Sequence, residues 1–201
     1  MDATAIKALH YETLVRACGG AESKAGEAFS LASSRIDVTD PLPLHIKEYA
    51  SFLATEESKI SEAYYHCRPF FEEMGDHVSV IDEQSPFWPS QVNTFAYAPR
   101  FLYVQGNISL LKAPSVSVIG TRSPSLEGKK LALQTSHALA KAGYVVASGL
   151  ALGIDGVAHK GALTSGAPTM AVIGTPLCQC YPKEHTELQA EIAKSGVVVS
   201  R

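Results

Sequence analysis

Between residues 115 and 200 short apolar runs alternate with helical patterns, and few folds accommodate that alternation. The apolar runs are 116–120, 144–148, 169–174 and 197–200; helical spacing occupies 125–142, 154–165 and 183–195. Runs without a polar face are strands buried on both sides, and intervening helices make them β-α-β crossovers. The predicted fold class is α/β, a Rossmann-like parallel sheet with helices on both faces. Its connections should be right-handed, because a twisted strand feeding a helix packs back only that way.

The first half reads differently. Ala5, Ile6, Leu9, Leu14 and Val15 form a rough helical stripe that Gly19-Gly20 ends. An Ala-rich helix fits 22–34, Pro41 and Pro43 break the chain, and 44–73 again has helical spacing. Tyr49, Phe52, Leu53, Ile60, Tyr64 and Phe71 share a core in this reading, and Pro69 should bend or interrupt the helix end. Residues 1–75 are therefore predicted as a small helical domain and 76–201 as the Rossmann-like domain. Short strands fit 77–81 and 101–104, and Trp88 is expected to pack at the junction rather than stack on a base.

Charge separates the halves further. Residues 1–100 hold 8 Lys and Arg against 15 Asp and Glu, whereas 101–201 hold 9 against 5. The net charge of −3 excludes a polybasic nucleic-acid binder, but the second half is the better host for an anion. Cys178-Gln179-Cys180 lacks the spacing of a zinc or thioredoxin-like pair, so neither a metal nor another cofactor is expected. No signal-like or membrane-length apolar stretch occurs, which predicts a cytoplasmic protein with no membrane partner.

Ligands of open parallel sheets bind beyond the carboxyl ends of the strands, where N–H groups and helix N-termini face solvent. Three loops fall there. The first, 119–125, holds Gly120, Thr121, Arg122, Ser123 and Ser125. Gly120 permits a tight turn, Ser123 is placed to cap a helix that has Pro124 at its first position, and Arg122 offers a charged fork for phosphate. The second holds Ser148, Gly149, Leu150, Gly153 and Asp155. Asp155 is expected to cap the next helix, with His159 one turn later on the same face. That pair is read as structural rather than as acid/base machinery, because no nucleophile accompanies it. The third loop begins at Gly174 and runs to Tyr181-Pro182. A Gly-x-Gly-x-x-Gly fingerprint and a Walker Gly-Lys-Ser/Thr are both missing, which disfavours a dinucleotide dehydrogenase and an ATPase.

Taken in order, the loops resemble the DprA/Smf family of DNA-processing proteins. The matching segments are Leu102-Tyr103-Val104-Gln105-Gly106-Asn107, then Val118-Ile119-Gly120-Thr121-Arg122 with Ser125 and Gly128. Ser148-Gly149-Leu150-Ala151-Leu152-Gly153-Ile154-Asp155, Ala158-His159, Thr169-Met170-Ala171-Val172-Ile173-Gly174 and Tyr181-Pro182 follow. The resemblance implies a non-catalytic protein that binds single-stranded DNA in natural transformation and helps load a RecA-type recombinase. It also implies that Gly120, Thr121, Arg122, Ser148, Gly149, Gly153 and Asp155 line the DNA phosphate pocket. Ser123, Ser125, Leu150 and Gly174 join them as candidates from the loops themselves. Family members continue beyond the position of Arg201, so the chain is expected to be either a fragment or a reduced relative. An open sheet edge is then predicted at 197–200, available to a second copy or a partner. The alternative on the same pocket is a nucleotide sensor or a nucleotide-processing enzyme.

Overall fold

The apolar runs of the second half become neighbours in one six-stranded sheet. Its strands are β1 (Ser79–Ile81), β2 (Leu102–Gly106), β3 (Ser115–Ser117), β4 (Val145–Ser148), β5 (Thr169–Val172) and β6 (Val197–Ser200), in the order β1-β2-β6-β5-β4-β3. This is a computed structural model describing residues 1–95 and 98–201. The chain divides into two compact units, Met1–Asp76 and His77–Arg201, and the sheet lies in the second.

Strands β3 to β6 are parallel and laid down in sequence order. Each crossover therefore steps the same way across the sheet, and crossovers of one hand put their helices on one face. α5 (Leu126–Lys141), α6 (Ile154–Thr164) and α7 (Thr186–Ser195) do lie there. Val146 packs with Ala140, Ala158 and Ala162, while Ala171 and Val198 pack with Leu188 and Ile192. The alternate strand residues Val145, Ala147, Met170, Val197 and Val199 form a second core with Leu111 and Trp88. Two 3-10 helices, Ser90–Thr94 and Ile108–Lys112, contribute Val92, Ile108 and Leu110 to that face. The α/β Rossmann-like class stands; among the described residues of this unit, α-helices pack on one face of the sheet and 3-10 turns on the other.

Trp88 is accordingly a core residue of the second unit, with its indole N–H donating to Asn93 Oδ1 at 2.8 Å. The expected open edge at 197–200 is not there. β6 pairs with β5 on one side and, antiparallel, with β2 on the other, Tyr103 opposite Ser200 and Gly106 opposite Val197. All four of its residues are buried. A strand from early in the unit returns to cover β6, so among the described residues the sheet ends at β1 and β3.

The first unit is helical: α1 (Ala3–Ala17), α2 (Glu22–Ser33), α3 (Ile46–Leu53) and α4 (Glu57–Met74). The helical spacing at 44–73 is two helices, separated where Ala54 turns left-handed at φ 51°. Pro69 does not end α4. It sits on the exposed side, where the carbonyl that loses its N–H partner is within reach of water. Inside this unit His10 is buried between Tyr49 Oη at 2.6 Å and the Asp40 carbonyl at 2.9 Å. No helix among the described residues is long and apolar enough to cross a membrane.

Candidate functional site

Parallel strands β3, β4 and β5 bring their three following loops to one edge of the sheet. Close packing joins the first two. The Ile154 N–H donates to the Thr121 carbonyl at 3.2 Å, and a Cβ on Gly120 would stand 2.7 Å from Ile154 Cγ1. Gly153 has φ 84° and ψ −124°, a conformation that side chains exclude, and a Cβ there would collide with the Thr121 carbonyl oxygen. The loop after β4 thus lies directly against the loop after β3.

Their junction opens a cleft of about 400 Å³ lined by Arg122, Ser123, Pro124 and Lys129 from one side and Leu152, Gly153 and Val157 from the other. Arg122 makes no ion pair or hydrogen bond among the described residues, with Glu127 of α5 or any other. The backbone N–H groups of Gly120, Thr121, Arg122, Leu152 and Gly153 are also unbonded among the described residues. Two cationic side chains and free donors around one opening suit a phosphate-bearing ligand. Ile119 and Leu126, both exposed, add apolar surface at the neighbouring loop. Lys129, in the first turn of α5, lines the same opening as Arg122.

The sequence-predicted residues separate into those that face the cleft and those that build it. Arg122, Ser123 and Gly153 line it. Ser125, not Ser123, caps α5, its Oγ accepting from the Gly128 N–H at 3.1 Å, and Pro124 precedes the cap. Ser148 is buried and donates to the Val118 carbonyl at 2.7 Å, which commits its hydroxyl to the sheet. Leu150 is fully buried in the core beneath α7.

Asp155 is not a helix cap. Gly153 occupies that position, and the Asp155 carboxylate accepts from the Gly149 and Ala151 N–H groups at 3.1 and 3.4 Å. It staples the loop from behind. His159 turns away to Thr169 Oγ1 at 2.8 Å, so the two side chains make no acid/base pair. Burial, reinforced by the neighbouring His185, holds the His159 imidazole down at about 4. Gly174 stands in open space in the third loop and does not line the cleft.

The sequence also matches known proteins across this unit. Residues 79–201 fit the family described as DNA recombination-mediator protein A. The chain belongs to that family. The DNA processing protein DprA of Streptococcus pneumoniae (strain ATCC BAA-255 / R6) is 40% identical to it over 122 residues, 61% of this chain and 42% of that protein. Protein Smf of Escherichia coli (strain K12) is 35% identical over 117 residues, 58% of this chain and 31% of its own length. The chain thus matches about two fifths or less of these curated relatives.

Among solved structures, DNA processing protein A from Streptococcus pneumoniae superposes with a TM-score of 0.71 at 28% identity. That match covers 95% of this chain and 66% of the other. The DNA processing protein A of Helicobacter pylori, whose structure is described as giving insight into its single-stranded DNA binding mode, matches with a TM-score of 0.54 at 33% identity. It covers 61% of this chain and 54% of its counterpart. For this member of the recombination-mediator family, the site to explain is the cleft at the junction of the first two loops.

Proposed function

We propose that this chain binds single-stranded DNA through the cleft between the loops after β3 and β4, and does so without turning over a substrate. The observation that carries the reading is an unpaired Arg122 set among unbonded N–H groups, with Lys129 on the same opening. Asp155 and His159 are each engaged elsewhere, which favours binding over acid/base chemistry. The kinship with Helicobacter pylori DNA processing protein A extends single-strand binding to this chain by analogy. In this reading the DNA-bound protein acts in the cytoplasm, in DNA uptake, and hands the strand to a RecA-type recombinase, as the family resemblance implies. Gly120 and Thr121 present backbone donors to phosphate, and Gly149, Ser148, Asp155 and Leu150 hold the loop that presents them.

Binding of a labelled oligo-dT of about twenty nucleotides tests the reading, since its bases offer little secondary structure to compete. Arg122→Ala should weaken binding at least tenfold, a loss of about 1.4 kcal/mol or more. With two cations at the cleft, the logarithmic salt slope should be shallow, on the order of −1 to −2. Equal affinity of the wild type and Arg122→Ala sinks the reading. Displacement of oligo-dT by a mononucleotide at comparable concentration would instead assign the cleft to a nucleotide sensor.

A further inference from the structure

We propose that His185 is a positioning residue for the loop after β4, and through it for DNA affinity, an inference that rests on the reading above. The His185 ring reaches across from the segment after β5, and its Nδ1 lies 2.8 Å from the Leu150 carbonyl oxygen. A carbonyl only accepts, so Nδ1 carries the proton and donates. Leu150 is the residue that needs such support. It is a fully buried, non-glycine residue at φ 59°, a left-handed conformation that persists only where its surroundings over-determine it.

The surroundings do so residue by residue. Asp155 takes the N–H of Gly149 and that of Ala151, and His185 takes the carbonyl of Leu150 between them. Three consecutive residues are therefore all tied, Gly149 and Ala151 by Asp155 in the first turn of α6 and Leu150 by His185 at the start of α7, and the Ala151 carbonyl also accepts from the Gly156 N–H at 3.2 Å. With those ties made, the next residues, Leu152 and Gly153, stand at the cleft with their N–H groups free.

The space for the ring is built as well. Gly156 lies beneath it on α6, and a Cβ there would stand 2.6 Å from His185 Cε1 and 2.7 Å from Nε2. The ring's own backbone is anchored, its N–H donating to the Pro182 carbonyl at 3.0 Å. Loops two and three are thus locked in register through one imidazole, although His185 is not among the residues lining the cleft.

Three variants of the full chain separate a donor from a filler. His185→Asn keeps an N–H donor at nearly the same distance from the backbone, His185→Phe keeps a ring without a donor, and His185→Ala keeps neither. Oligo-dT binding should stay within about twofold of wild type for His185→Asn and fall at least fivefold for His185→Phe and His185→Ala. Amide exchange at Gly149 and Ala151 should speed up in the same two variants only. Circular dichroism and Trp88 fluorescence establish that each is folded, and if His185→Ala is not, the Phe and Asn pair decides. Wild-type affinity and unchanged exchange in His185→Phe overturn the proposal while leaving DNA binding intact. If the wild type binds no oligo-dT, the DNA reading fails by itself. The exchange comparison then decides the brace, faster in His185→Phe supporting it and unchanged overturning it.

Discussion

Gly153→Ala should cost the second unit at least about 2 kcal/mol and remove most of its DNA affinity, because two penalties fall on one atom. The first is conformational. At φ 84° and ψ −124° the residue occupies a region that L side chains avoid. The second is steric, since the new Cβ would enter the Thr121 carbonyl oxygen and stand 2.8 Å from Arg122 Cα. Both atoms are backbone, so no side chain can rotate away. Relief requires the loops after β3 and β4 to part, which would carry Arg122 away from Gly153 and open the cleft. Thermal unfolding followed through Trp88, the single tryptophan of the chain, should show Tm lower by roughly 6 °C or more. Gly174→Ala is the matched control for stability. No atom lies within 4 Å of its would-be Cβ, so it should change stability by less than about 0.5 kcal/mol. A Gly153→Ala protein as stable as wild type would mean that the two loops are not packed as described.

That glycine illustrates where the sequence was informative. The α/β alternation was legible because β4, β5 and β6 are apolar on both faces, a pattern that few other arrangements tolerate. The position of the cleft followed from topology, since ligand loops of a parallel sheet gather at one edge. What escaped were contacts between distant segments. β2 returns antiparallel onto β6 from more than ninety residues earlier, and no local period announces such a pairing. The choice between Ser123 and Ser125 as cap was open because both are serines near a helix start; the bond to Gly128 decides it. Asp155 has the composition of a cap, but the turn at Gly153 starts the helix two residues too early for it. Ser148 and Leu150 lie in the right loop with their side chains turned into the core. His185 was invisible because its partner, Leu150, is 35 residues away.

Acidification should destabilise this protein in a window set by its buried histidines, and His159 should account for about 2 kcal/mol of that loss by pH 4.5. Its hydrogen bonds dictate the direction. Thr169 Oγ1 donates to the Val146 carbonyl at 2.6 Å, leaving its lone pairs to accept from His159 Nδ1–H at 2.8 Å. Nε2 is then the basic nitrogen, and it is buried with no partner among the described residues. Protonating it would place an N–H in a buried position where no acceptor lies among the described residues. Burial therefore holds the folded imidazole at about 4, below the ordinary 6.5. As pH falls below 6.5 the unfolded chain takes up this proton while the folded chain does not, so stability is full above 6.5 and declines down to about 4. His10 follows the same rule in the first unit, also held at about 4 by burial, with Asp40 and Asp37 pulling up and His45 pushing down. Urea unfolding read through Trp88 isolates the second unit, where His159→Asn keeps an N–H for Thr169 but cannot titrate. The stability lost between pH 7 and pH 4.5 should shrink by about 2 kcal/mol in that variant. An identical loss in wild type and His159→Asn would show that the imidazole is solvated, and with it that the interface of α6 with β5 is looser than described.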